Sequence, residues 1–260
     1  MMSKMTSLLK NSLGSIQHST NSRNLVQALN ENKLIGSSDG SLVTEGSSQW
    51  GSHAYSLRSW DNDEGKIIGK APTPSTTKMT SLTTEIYGLL STTILLYSIT
   101  KFYKKEIQEN KCVTIFCDNE QATKMYNDTN QAINITETNI PEYDIKLLIQ
   151  KITNLIPVQV HFQWIKGHQN ELNNGERIHG PFPRLVQTNI EMDTKAAEAI
   201  LIAKSIQIKR PTYCTTQLGL YNKNNEFVYD IREQLLYNNR YNDLWTYLKD
   251  KNKWEEDQMK

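Results

Sequence analysis

The sequence has few cysteines, and none of them stands in a pairing motif. Its 260 residues contain three, Cys112, Cys117 and Cys214, and no two follow a Cys-x-x-Cys spacing. An odd number without paired spacing argues against a disulfide framework and against a cysteine-rich zinc site. We therefore expect a protein of a reducing compartment, inside the cell in the cytoplasm or the nucleus.

The chain also lacks a net charge and a long apolar run. Its 29 basic residues nearly balance 28 acidic ones, for a formal charge of +1, which excludes nucleic-acid binding by bulk positive charge. No apolar stretch approaches the roughly 18 residues that a membrane span needs, so we expect no membrane partner. The first thirty residues carry a single arginine, Arg23, and an organelle transit peptide is therefore not expected.

Hydrophobic patterns predict three strands, a long helix, a strand, helices, an alternating strand and a last helix. The first three strands, joined by short polar turns, are typical of an antiparallel meander. Ser81 or Thr83 is expected to cap the long helix, and the last helix is expected to begin at Asn189. In the alternating strand "VQVHFQWI", four residues are predicted to share one face: Val158, Val160, Phe162 and Trp164.

This order predicts an α/β fold with a mixed five-stranded sheet, in which three antiparallel strands are followed by two parallel ones, flanked by helices. We expect this domain over residues 33–206. Residues 1–32 form a polar segment that is expected to be partly disordered and to contain one short helix. Residues 207–260 are expected to form an extension with a hairpin and one or two helices.

Four acidic residues are predicted to lie at the ends of elements. Asp39 and Asp118 follow apolar strands, and Glu85 and Asp193 are expected in the first turns of the long and the last helix. Each of them alone suits a helix dipole or a solvated face. The carboxyl ends of parallel strands meet at one edge of a sheet, however, and two carboxylates ~4 Å apart repel by roughly 4 kcal/mol.

Four carboxylates in one cleft therefore require cations. Hard oxygen ligands favour Mg²⁺ or Mn²⁺, and two such ions about 4 Å apart suit the hydrolysis of a phosphodiester. The sequence thus predicts a site for two divalent ions at this edge of the sheet.

Five fragments in chain order resemble the signature of type 1 ribonuclease H domains, particularly those of retroelement polyproteins. They are "SDGS", "TTEIYGLL", "FCDNEQA", "WIKGHQ" and "NIEMDTKAAEA", and they run from about Leu34 to Ser205. The resemblance implies a ribonuclease H-like fold and cleavage of the RNA strand of RNA–DNA hybrids by water, leaving 3′-hydroxyl and 5′-phosphate ends. It also implies four metal ligands and a mobile histidine that assists proton transfer or product release: Asp39, Glu85, Asp118 and Asp193, and His168.

The resemblance further implies partners and outer contacts. The partners are an RNA–DNA hybrid and a reverse transcriptase domain or polyprotein. Six residues are candidates for contacts with the nucleic acid: Ser41, Ser81, Asn119, Lys101, Lys104 and Lys105. For the three lysines, which close the long helix, complementing its negative C-terminal end is an equal alternative.

The sequence departs from the family at Ser81 and Leu82, where asparagines are common, and at Glu120, where a glutamine is common. A catalytically weak or inactive nucleic-acid-binding or tethering domain, the relic of a retroelement, therefore stays open as an alternative. Two other nucleases of the same fold fit less well. A proofreading exonuclease needs Asp-x-Glu where the chain has Asp39 and Ser41, and an integrase needs a glutamate where the chain has Thr153.

Overall fold

A computed structural model of the chain describes residues 12–18, 22–74, 79–127, 142–170 and 181–206. The chain divides into two compact units, one of Met1–Gln131 and Asp144–Thr215 and one of Ala132–Tyr143 and Thr216–Lys260. All described strands belong to the first unit. The extension expected over residues 207–260 lies outside the described residues.

The described part of the chain contains six strands and five helices. The strands are β1 (Ser15–His18), β2 (Leu34–Glu45), β3 (Ser48–Ser59), β4 (Ile67–Thr73), β5 (Cys112–Cys117) and β6 (Gln159–Trp164). The helices are α1 (Ser22–Asn30), α2 (Ser81–Phe102), α3 (Glu120–Asn127), α4 (Tyr143–Thr153) and α5 (Arg184–Ser205).

The strands form one mixed sheet in the order β1-β4-β3-β2-β5-β6. The pairs β1–β4, β4–β3 and β3–β2 are antiparallel, whereas β2–β5 and β5–β6 are parallel. The predicted mixed sheet flanked by helices, with antiparallel strands followed by two parallel ones, is therefore confirmed, with six strands instead of five.

The additional strand β1 lies in the polar segment 1–32, for which the sequence predicts one short helix and no strand. It pairs with β4, and the chain just before it is held by side chains of β3 and α2. The Tyr55 hydroxyl donates to the Leu13 carbonyl at 2.6 Å, and the Ser91 hydroxyl donates to the Ser12 carbonyl at 2.7 Å. Tertiary contacts thus form a strand from a sequence, SIQH, with one apolar residue.

Helix α2 is the central helix of the unit, since every residue from Thr83 to Leu96 is buried. Its N-cap is Thr80, whose side chain accepts from the Thr83 N–H in a capping box, and not Ser81 or Thr83 as predicted. By length and composition α2 alone, among the described residues, could cross a membrane. However, 83% of its most apolar window is buried inside the unit, as expected of a core helix.

The predicted face of β6 is wrong at its end. Trp164 is 46% exposed although Val158 and Phe162, its expected companions, are buried, because β6 is the last strand of the sheet. Leu155, which extends the apolar periodicity of α4, lies beyond the helix and is 54% exposed.

Candidate active site

Asp39 and Asp118 lie side by side at the end of the parallel ladder between β2 and β5. The last paired residues of that ladder are Ser38 and Cys117, and each aspartate directly follows. Asp118 ends its strand as predicted, but Asp39 does not, because β2 continues to Glu45 as a hairpin with β3. Asp39 is buried, and its carboxylate accepts a hydrogen bond from the Gly40 N–H at 2.7 Å.

Glu85 reaches the same place from α2. It lies in the second turn of the helix, not the first as predicted, because the helix begins at Ser81. A side chain at Gly40 would place its Cβ 2.6 Å from the Glu85 backbone nitrogen, so the glycine lets β2 approach α2 closely. The Glu85 carboxylate is buried and accepts a hydrogen bond from the Cys117 thiol, with Sγ and Oε2 3.5 Å apart.

Helix α5 contributes Asp193. The prediction that Asp193 lies in a first turn is wrong, since α5 begins at Arg184 and Asp193 lies in the middle of the helix. The helix is fixed to β3 on both sides of this residue. Arg58 pairs with Glu191 at 2.6 Å, and the Ser52 hydroxyl donates to the Ala196 carbonyl at 2.6 Å.

Asn189 lies one helical turn before Asp193. Its side chain is 3% exposed and hydrogen-bonds the carboxylate of Asp118, which lowers the pKa of that group. Its carbonyl oxygen Oδ1 is buried and has no hydrogen-bond partner. Burying an amide oxygen without a hydrogen bond costs folding free energy. The site therefore contains a hydrogen-bond acceptor, Oδ1 of Asn189, for which the protein supplies no donor.

The electrostatics show that the carboxylates crowd one another. Burial, followed by the charges of Asp118 and Asp193, raises the pKa of Asp39 well above its ordinary value. Burial and the charges of Asp39 and Asp118 do the same to the pKa of Glu85. Burial also raises the pKa of Asp118, against the opposing effects of Asn189 and His168. The site therefore has more negative charge than its surroundings neutralise.

His168 lies in the loop after β6 and is exposed, with a left-handed φ of 50°. The end of β6 and the start of this loop pass close to Asp118. The Trp164 indole N–H donates to the Asp118 carbonyl at 2.9 Å, and a Cβ at Gly167 would collide with the Asp118 carboxylate. The histidine is thus anchored next to the acids on a solvent-facing loop.

The six residues predicted to contact nucleic acid lie at different distances from the acids. Ser41 shares the strand face of Asp39, two residues away, and Ser81 is exposed at the start of α2. Asn119 caps α3, accepting from the Ala122 N–H at 2.9 Å. The three lysines are exposed at the far end of α2, Lys101 in its last turn and Lys104 and Lys105 just beyond it. Lys101 thus lies about 24 Å from Glu85 along the helix axis.

Sequence analysis missed the two other polar groups of the site, the thiol of Cys117 and the amide of Asn189. Ligand atoms of Glu85, Cys117 and Asp118 all lie within 4.8 Å of one another. The position of Cys117 directly before Asp118, at the end of a strand, was the available signal.

Comparisons with known proteins give similarities to solved structures only. The chain is similar to LC11-RNase H1, solved in complex with an RNA/DNA hybrid, with 15% identity, a TM-score of 0.44 and coverage of 66% of this chain and 99% of that one. It is similar to RNase H1 from Halobacterium salinarum, with 13% identity, a TM-score of 0.39 and coverage of 65% and 98%.

A foamy viral protease-reverse transcriptase, solved in complex with an RNA/DNA hybrid, is similar at 11% identity, with a TM-score of 0.45 over 68% of this chain and 21% of that one. No protein-family model and no curated protein matches the chain. At these identities and TM-scores, no residue's role in this chain depends on the similarities.

Proposed function

We propose that the protein is a metal-dependent endonuclease that hydrolyses the RNA strand of RNA–DNA hybrids. The observation that carries the proposal is the meeting of Asp39, Glu85 and Asp118, with raised pKa values, beside Asp193 of α5. Buried carboxylates that are ionised together repel one another, and bound cations would offset that repulsion.

The donor set fits Mg²⁺ or Mn²⁺. Asp39, Glu85, Asp118 and Asp193 offer the hard oxygen ligands that these ions prefer, and the unpaired Oδ1 of Asn189 adds a neutral oxygen beside Asp118. Two ions held there would supply charge neutralisation and an activated water for phosphodiester hydrolysis.

The protein's own groups have separate tasks in this proposal. Asn189 orients the Asp118 carboxylate by a hydrogen bond, while Gly40 permits Glu85 to approach Asp39. His168, exposed on its anchored loop, delivers a proton to the leaving oxygen or assists the release of product. Water is the nucleophile, and no side chain forms a covalent bond with the substrate.

The retroelement origin is part of the same proposal. It is supported by the order of the five sequence fragments from Leu34 to Ser205, and it implies a reverse transcriptase domain or polyprotein as the partner. The exposed lysines at the far end of α2, Lys101, Lys104 and Lys105, are proposed as outer phosphate contacts, which add affinity without sequence preference.

A second candidate function, nucleic-acid binding with little or no catalysis, is favoured by the side chain at position 120. Glu120 is exposed at the start of α3 and pairs with Lys124 at 2.7 Å. A carboxylate held in an ion pair cannot donate a hydrogen bond to a base edge or a 2′-hydroxyl as a glutamine can. Weaker hybrid contact would reduce cleavage without disturbing the acids.

A substrate panel tests the proposed function. Purified protein with Mg²⁺ or Mn²⁺ is incubated with a labelled RNA–DNA hybrid, single-stranded RNA, double-stranded RNA and double-stranded DNA. We expect cleavage of the hybrid's RNA strand alone, with 3′-hydroxyl and 5′-phosphate ends. Binding of the hybrid without cleavage would instead support the second function, and cleavage of all four substrates would contradict the hybrid preference.

A further inference from the structure

The thiol of Cys117 lies inside the group of acids that the proposed function uses for hard ions. Its Sγ atom is 3.5 Å from Oε2 of Glu85, and the ligand atoms of Glu85, Cys117 and Asp118 lie within 4.8 Å of one another. Mg²⁺ and Mn²⁺ gain nothing from a sulfur ligand, because they prefer oxygen. The sulfur therefore has no use in the proposed hydrolysis.

The spacing of the sulfur and the carboxylate suits a thiophilic ion with tetrahedral coordination. A tetrahedral Zn²⁺ with a Zn–S distance of about 2.3 Å and a Zn–O distance of about 2.0 Å holds its sulfur and oxygen ligands about 3.5 Å apart. Cys117 and Glu85 already have this separation. Asp118 directly follows Cys117 and closes the set from the end of β5.

A second, independent observation points to a ligand at the same place. Asn189 is 3% exposed, its amide is directed at the Asp118 carboxylate, and its Oδ1 atom is buried without a hydrogen-bond partner. An ion bound at Asp118 would give this oxygen the positive neighbour that the protein itself does not provide.

We propose that Glu85, Cys117 and Asp118 bind a thiophilic divalent cation of the Zn²⁺ type, at a site that overlaps the proposed Mg²⁺ site and excludes Mg²⁺ from it. On binding, the S–H bond of Cys117 breaks, the proton passes to the buffer, and the sulfur keeps the electron pair with which it coordinates the ion. Zn²⁺ would thus act as an inhibitor that competes for two shared carboxylates. This overlap rests on the proposed function, whereas the binding itself does not.

Cobalt absorption tests the site directly, because Co²⁺ replaces Zn²⁺ and gives a thiolate-to-cobalt charge-transfer band only when sulfur is a ligand. The protein used is the full chain with Cys112→Ser and Cys214→Ser, in which Cys117 is the only cysteine. We expect the band to appear on titration with Co²⁺ and to disappear when Zn²⁺ is added. Absence of the band in this folded variant would overturn the proposal.

Two further variants locate the site. Cys117→Ser in the otherwise unchanged chain should lose the band, with far-ultraviolet circular dichroism as the check on folding. Glu85→Gln, added to the variant with the single cysteine, should weaken Co²⁺ binding at least about tenfold, as expected for the loss of a ligand. A band that Glu85→Gln leaves unchanged would mean that the sulfur binds cobalt elsewhere, and the proposal would fail.

Competition by Mg²⁺ tests the overlap. Excess Mg²⁺ should raise the Co²⁺ concentration at which the charge-transfer band reaches half of its maximal absorbance. If Mg²⁺ did not change that concentration, the claim that the two sites overlap would be wrong. These readouts involve no nucleic acid, so they separate the two proposals. A chain that binds Co²⁺ through Cys117 but cuts no hybrid would contradict only the nuclease, and the reverse result would contradict only the thiophilic site.

Discussion

Replacing His53 should change how stability depends on pH, because this histidine is entirely buried and held in its neutral form. Its ring nitrogens lie 3.0 Å from the Thr73 hydroxyl, the Ser12 carbonyl and the Ser91 hydroxyl. Burial lowers the pKa of His53 from 6.5 to about 4. Protonation is therefore much harder in the folded than in the unfolded chain.

The sign and size of the effect follow from this difference. Above pH 6.5 the histidine is neutral in both states and its contribution to stability is complete. As the pH falls toward 4, the unfolded chain takes up a proton and the folded chain does not, so stability is lost. The loss is about 2 kcal/mol between pH 7 and pH 5 and about 3 kcal/mol in total, at 1.36 kcal/mol per unit of pKa.

Urea unfolding of the wild-type chain and His53→Gln, in EDTA at pH 7 and pH 5, measures this effect. The variant should be less stable at pH 7, because it loses buried hydrogen bonds, but its stability should fall less on acidification. The difference between the two proteins should therefore shrink by about 2 kcal/mol. Since the acids of the site are present in both, their own pH dependence cancels. His161→Gln, which removes an exposed histidine, is the matched control. If the difference in unfolding free energy between the wild type and His53→Gln were the same at pH 7 and pH 5, the reasoning would be refuted.

Four other substitutions test the site and its supports. Asp39→Asn should abolish hybrid cleavage while leaving unfolding in EDTA unchanged or more difficult, because the raised pKa of Asp39 means that its charge costs stability at pH 7. His168→Ala should lower turnover by up to about 100-fold without preventing it, measured as single-turnover cleavage. Gly40→Ala should cost about 1–3 kcal/mol in urea unfolding, because the added Cβ meets backbone of α2. Arg58→Met should cost about 1–3 kcal/mol by the same assay, because Glu191 loses its closest cation.

Each of these has an outcome that would contradict it. Full activity of Asp39→Asn, or a marked loss of its metal-free stability, would mean that the acids do not repel one another in a catalytic cluster. Complete inactivity of folded His168→Ala would give the histidine a larger role than proton delivery or product release. Ser41→Ala, on the same strand as Gly40, is the control for that position and should change stability little. If Arg58→Met were as active and as stable as the wild type, the ion pair between Arg58 and Glu191 would not position α5.

The sequence patterns that predicted the fold correctly were local ones. The alternation in β6, the apolar run before Asp118 and the long apolar helix each report burial along one element, and the structure has all three. Where the hydrophobic pattern was weak, tertiary contacts determined whether a strand formed and where a helix began. β1 forms because β4 offers it an open edge, and α5 extends back to Arg184, which pairs with Asp63 and precedes a leucine packed on the sheet.

In the candidate site, too, some residues could be predicted from the sequence and others only from the structure. The four acids could be chosen from the sequence because they fall in fragments that resemble ribonuclease H domains, although only Asp118 lies at the element end that was expected. The hydrogen bond from Cys117 to Glu85 and the contact of Asn189 with Asp118 join residues far apart in the chain, on elements whose register only the structure provides. The same is true of the error about Asp193, whose mid-helix position depends on where α5 begins.

Cleavage of a labelled RNA–DNA hybrid by the wild-type chain and by Asp118→Asn, with Mg²⁺ and then with EDTA, tests the central claim most directly. We expect the wild-type protein to cut the RNA strand with Mg²⁺, EDTA to stop the reaction, and the folded variant not to cut under either condition. Equal cleavage by the variant, or cleavage that continues in EDTA, would contradict the claim that the acids of this site catalyse the reaction with divalent ions.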